Sequence, residues 1–182
     1  MRWLQALGVL LFYIWLMFGL FMVAFMLTHG AAEGGRVARQ TGPAGLALIK
    51  AHEGCVLSTY RCPANRCTIG YGHAGPDVRP GMRITQERAE ELLRQDLAVV
   101  EDAISRLVTV PLSQAQHDAL SSLVFNIGVP AFAKSTMLKL INNKDHTHAA
   151  EQFSRWVHVA GTLLPGLVKR RKAEAALFLQ RA

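Results

Sequence analysis

Between His52 and Gly75 the chain reads HEGCVLSTYRCPANRCTIGYGHAG, and three of its side chains offer distinct chemistry. Glu53 brings a carboxylic acid, Cys62 a thiol and Thr68 a hydroxyl, with eight residues between the first two and five between the last two. A carboxyl kept protonated by an apolar pocket is a general acid. A thiolate carries negative charge or accepts a proton, but an ordinary thiol, with a pKa of ~8.5, is mostly neutral at pH 7. Arg61 and Arg66 lie close to Cys62 in sequence and favour its thiolate. A hydroxyl at Thr68 is suited to holding a water molecule. Each residue also has a plainer reading: a salt-bridged carboxylate at a helix end, a small hydrophobe in a hairpin, a good strand former.

These side chains need elements to hold them. Leu46, Ile49 and Lys50 begin a short helix that presents Glu53. Val56 to Cys62 and Cys67 to Ile69, rich in β-branched and aromatic residues around Pro63-Ala64-Asn65, predict a β-hairpin. Its period of two puts Tyr60 with Cys62 and turns Cys67 away from Thr68. Residues 76–81 read as a loop. Thr85 is the cap of a long amphipathic helix with Leu92, Leu93, Leu97, Val100, Ile104 and Leu107 on one face. Ser113-Gln114-Ala115-Gln116 is a capping box for a helix that buries Leu120, Leu123 and Val124. Shorter helices are predicted over Met137–Ile141, Ala149–Val157 and Val168–Leu179. The sum is an α+β fold, a small hairpin lobe joined by a long helix to a helical lobe.

Four words in this order, HEG around Glu53, TIGYGH after the turn, FNIG from Phe125 to Gly128 and LPGLVKRR from Leu164 to Arg171, resemble the phage-type lysozymes of glycoside hydrolase family 24. The resemblance runs from about residue 44 to the end. It implies a lysozyme-like fold and an endolysin: an N-acetylmuramidase cleaving the β-1,4 bond between N-acetylmuramic acid and N-acetylglucosamine in bacterial peptidoglycan, lysing the host. It implies Glu53, Cys62 and Thr68 as the catalytic triad, with Cys62 replacing the usual Asp as in one subgroup. Asn126 and Arg170 are then expected to bind substrate. His73 is expected to be structural, paired with Asp96. The rival expectation is a non-catalytic, membrane-tethered wall-binding protein on the same fold.

Cys55, Cys62 and Cys67 are the only cysteines, so at most one intramolecular disulfide forms. In the catalytic-Cys subgroup a disulfide holds the tethered enzyme inactive until a thiol of the membrane segment opens it. This chain departs from that pattern, since residues 1–29 contain no Cys. A Cys55–Cys62 or Cys62–Cys67 bond blocks Cys62, whereas a Cys55–Cys67 bond leaves it free. Three Cys without a fourth ligand at zinc-finger spacing point away from a metal, and no cofactor is expected.

Composition divides the 182 residues. Residues 1–29 hold one charge, Arg2, and the uncharged Trp3–Thr28 run is long enough for a transmembrane helix. It exceeds the apolar core of a cleaved secretory signal. Its Leu, Phe, Met and Trp make it more hydrophobic than the Gly- and Ala-rich signal-anchor-release helices that it resembles. The expected organisation is an anchor over 1–29, a Gly-rich linker over 30–43 and a catalytic domain over 44–182. The host inner membrane holds the anchor, with the domain on the periplasmic side or released there. Beyond residue 29 the net charge is +6. A basic surface suits an anionic polymer such as peptidoglycan. No aromatic and basic interleaving or recognition helix points to nucleic acid. A monomer is expected.

Overall fold

Thr85 starts the element around which the domain is arranged. In the computed structural model, which describes residues 39–61 and 67–180, the helices are α1 (Pro43–Glu53), α2 (Gln86–Leu107), α3 (Gln114–Ile127), α4 (Val129–Ala133), α5 (Thr136–Asn142), α6 (His146–Glu151) and α7 (Pro165–Phe178). The strands are β1 (Val56–Arg61), β2 (Cys67–Gly70), β3 (His158–Val159) and β4 (Thr162–Leu163).

The Thr85 hydroxyl accepts from the Arg88 N–H at 3.2 Å, capping α2. At 22 residues, α2 runs ~33 Å. Its apolar face serves three clusters in turn. Leu92 packs with Ile69 and Val78 beneath the hairpin, and Leu93 and Leu97 pack with Ile49 and Tyr71. Val100 and Ile104 enter the large core of Leu120, Leu123, Phe132, Met137, Phe153 and Phe178. Each such side chain contributes ~1.5–3 kcal/mol on burial, so one helix ties both lobes together.

α3 opens on the reciprocal capping box of Ser113 and Gln116 and fully buries Leu120, Leu123 and Val124. β1 and β2 pair antiparallel, Tyr60 opposite Thr68 and Arg61 opposite Cys67, with an irregularity between Val56 and Tyr60. The turn and Cys62 lie outside the described residues. On its other edge β1 takes a second partner: Thr59 N–H donates to Met82 O at 3.0 Å and Ile84 N–H to Leu57 O at 2.9 Å.

The C-terminal half departs from the helices read from sequence. The Ala149–Val157 segment is not one helix: α6 starts earlier, at His146, capped by Asp145, and gives way to a 3-10 turn over Gln152–Arg155. The chain then forms the β3–β4 ribbon, too short to leave a period. α7 begins at Pro165 rather than Val168, because proline at the first helical position gives up no hydrogen bond there.

Thr41, Gly42 and Pro43, at the end of the stretch read as linker, are built into the fold. Thr41 N–H donates to Glu101 at 2.7 Å and Gly42 N–H to Asp118 at 2.8 Å. The expected membrane anchor, Trp3–Thr28, lies outside the described residues. Among those described, no helix is long and apolar enough to cross a membrane.

Candidate active site

Glu53 closes α1, and Gly54 turns the chain away at φ 69°, a conformation other residues rarely adopt. The carboxyl therefore projects from a helix C-terminus, where the helix dipole is unfavourable to an anion. Arg170, near the start of α7, answers it: its Nη1 donates to Glu53 Oε1 at 2.6 Å. The Glu53 side chain is 22% exposed and that of Arg170 only 3%. Glu53 thus meets a buried cation on one side and the cleft on the other. The pocket that holds the acid is thus not only apolar, since a guanidinium forms one side of it.

The cleft, about 410 Å³, receives Glu53 from α1, Tyr71 from the segment after the hairpin, Asp96 from α2 and Asn126 from α3. Behind it lies a buried charge network. Arg170 Nε donates to Glu174 Oε1 at 3.0 Å and its Nη2 to the Ser122 carbonyl at 3.1 Å. Ser122 Oγ donates to Glu174 Oε1 at 2.6 Å. Arg171 Nη2 donates to Asn126 Oδ1 at 3.0 Å and to Glu174 Oε1 at 3.2 Å. Its Nε comes to 2.9 Å from Glu174 Oε2 as an ion pair without hydrogen-bond alignment.

Burial drives the Glu174 carboxyl above its ordinary value, against the pull of Arg171, Ser122 and Arg170. Burial likewise lowers the Arg171 guanidinium to about 10, which leaves it charged at neutral pH. His52, next to the acid, is lowered by burial and then by Arg170, Lys169 and Arg171. Arg170 and Arg171 are both buried.

Asn126 lies on the cleft wall, and Arg170 stands behind Glu53 rather than open to it. Thr68 is 4% exposed, within β2 opposite Tyr60. Cys62 falls outside the described residues. Cys55 is an exposed free thiol and Cys67 a half-buried one, so the two are not joined to each other. His73 Nδ1 lies 2.9 Å from Asp96 Oδ1, and its Nε2 is 3.3 Å from Asp77. Burial alone would depress His73, but the bonds to Asp96 and Asp77 outweigh it and raise its pKa.

Sequence reasoning missed Glu174 and Ser122. Glu174 was within reach, since a glutamate three and four residues after Arg171 and Arg170 shares their helix face. Ser122 gave no signal, being one serine among helix residues.

A carboxyl-bearing cleft between a hairpin lobe and a helical lobe, joined by one long helix, defines a lysozyme-like glycoside hydrolase. The family model for phage lysozyme matches residues 50–174, and the chain belongs to that family. An endolysin of Acyrthosiphon pisum secondary endosymbiont phage 1 is 49% identical over 138 residues, 74% of this chain and 94% of the relative. A SAR-endolysin of Escherichia phage Mu is 42% identical over 126 residues, 69% of this chain and 73% of the relative. Among solved structures, the muramidase domain of SpmX from Asticaccaulis excentricus superposes with a TM-score of 0.74 at 40% identity, covering 79% of this chain and all of that one. A mutant of P22 lysozyme gives 0.71 at 44% identity, over 78% and 99%. The activity is that of a peptidoglycan-hydrolysing endolysin, a lysozyme.

Proposed function

We propose that Glu53 is the general acid of this lysozyme. The observation carrying the reading is the position of its carboxyl, anchored at one oxygen by Arg170 and set in the cleft wall. Arg170 occupies Oε1, so the proton for the leaving glycosidic oxygen is carried on Oε2. Cys62 takes the place of the family's carboxylate and stabilises the positively charged sugar or accepts a proton from water, and the Thr68 hydroxyl orients that water. Asn126, fixed by Arg171, contacts the glycan. Arg170 acts through Glu53, and the His73–Asp96 pair braces the segment after the hairpin against α2.

The proposed organisation is an anchor over 1–29, a linker from residue 30 that ends before Thr41, and a catalytic domain from Thr41 onward, acting as a monomer. The uncharged Trp3–Thr28 run supports membrane attachment. The kinship with SAR-endolysins supports export to the periplasmic side. A disulfide using Cys62, with Cys55 or Cys67 as partner, holds the tethered enzyme inactive until thiol exchange opens it. No observation favours the non-catalytic wall-binding alternative.

Mass spectrometry of purified peptidoglycan digested by the full chain, with and without reductant, tests the reading. The expected products end in reducing N-acetylmuramic acid and form faster with reductant. Products ending in reducing N-acetylglucosamine, or none under either condition, would contradict it.

A further inference from the structure

The helix that carries Glu53 has no capping side chain of its own. Gly42, its N-cap, makes no side-chain hydrogen bond, and Pro43 follows it. Asp118 of α3 supplies the cap from across the fold: Oδ1 accepts from Gly42 N–H at 2.8 Å and Oδ2 from Gly45 N–H at 3.0 Å. Gln114 Nε2 donates to the same Oδ1 at 2.7 Å. The carboxylate is 1% exposed. A Cβ on Gly42 would come to 2.9 Å from Asp118 Oδ2, and one on Gly45 to 2.6 Å from Thr41 Cγ2 and 2.9 Å from Asp118 Cβ. Two glycines leave room for this carboxylate, which satisfies orphaned amides and favours the positive end of α1.

One turn further along α3, the Ser122 carbonyl holds Arg170 Nη2, and the Ser122 hydroxyl holds Glu174. α3 therefore grips both partners of the Glu53–Arg170 contact, the acid's helix through Asp118 and the guanidinium through Ser122. With 11 residues, α1 is ~16 Å long, and a shift at its first turn is carried to Glu53 at its last.

We infer that Asp118 is a positioning residue for hydrolysis, setting through α1 where Glu53 meets Arg170. The inference rests on Glu53 being the general acid. Misplacing a reacting group by about 1 Å costs on the order of 10²-fold in rate, whereas a residue needed only for stability leaves the turnover of the folded enzyme unchanged.

The test is steady-state kinetics of the reduced full chain in detergent on soluble peptidoglycan fragments, with circular dichroism to show that each variant is folded. Asp118→Ala is expected to lower kcat about 10²-fold with KM changed by about twofold or less. In an Arg170→Lys background, where the contact is already impaired, the same change is expected to cost only about threefold. Asp118→Asn keeps one acceptor oxygen and is expected to restore part of kcat; if Asp118→Ala does not fold, Asp118→Asn is compared with the parent in both backgrounds, by the same split and the same non-additivity. Parent-like kcat, a loss carried by KM, or equal losses in the two backgrounds would overturn the inference. Glu53→Gln is measured alongside. Should it stay active, the acid assignment falls and this inference with it; a dead Glu53→Gln beside a fully active folded Asp118 variant overturns the inference alone.

Discussion

Arg170 Nη1 reaches Glu53 Oε1 at 2.6 Å, joining two residues 117 positions apart in the chain. The contact brings the last residue of α1 to α7, and its guanidinium is itself held by Glu174 and Ser122. Its geometry is therefore set by buried groups rather than by two flexible side chains at a surface, where ion pairs contribute little.

Glu174 is the first point to perturb. It is fully buried between Arg170 and Arg171. Removing one partner of a buried ionic group leaves uncompensated charge, costing about 3–5 kcal/mol. Glu174→Ala is expected to lose stability on that scale in chemical denaturation, with activity falling as Arg170 loses its anchor. A parent-like midpoint and slope would show that the network has little energetic weight.

His73 makes stability depend on pH. Its pKa is raised in the folded state above the ordinary 6.5, so the folded state binds the proton more tightly. The resulting stability is fully present below about pH 6.5 and is lost as pH rises through the raised value. Melting temperatures of the parent should fall across that window relative to His73→Gln, which lacks the titration. Parallel curves for the two proteins would remove His73 as the source.

The hairpin lobe and the long helix were legible in the sequence because their signals are local. Thr85, the Ser113 capping box and the leucines of α2 obey short-range rules. The β3–β4 ribbon and the break after Glu151 were not, since two-residue strands carry no period. At the site, Glu53 was marked by its neighbours in sequence. The Asp118 cap was hidden: it forms across 73 and 76 residues and serves amides, which no motif marks. Thr41 and Gly42 looked like linker for the same reason.

The thiol at Cys62 is expected to be chemical rather than structural. Cys62→Asp should remain active and become indifferent to oxidation, while Cys62→Ala should lose on the order of 10²-fold or more, the scale of general acid–base help. Lysis of peptidoglycan in gels, with and without reductant, reads both. An alanine variant as active as the parent would leave Cys62 with packing or regulation only.

The apolar amino-terminal run should direct export without cleavage. Protein recovered from the membrane fraction is expected to begin at Met1 or Arg2 by intact-mass measurement. A mature chain beginning near Ala31 would instead mean a cleaved signal.

The most direct test is the activity of Glu53→Gln on purified peptidoglycan. Glutamine preserves the size of the side chain and an oxygen for Arg170, but its amide protons are not acidic enough to be transferred to a glycosidic oxygen. The folded variant is expected to lose at least ~10²-fold of the parent activity, with the circular dichroism of the parent. A folded Glu53→Gln enzyme retaining more than about a tenth of that activity would contradict the assignment of Glu53 as the acid.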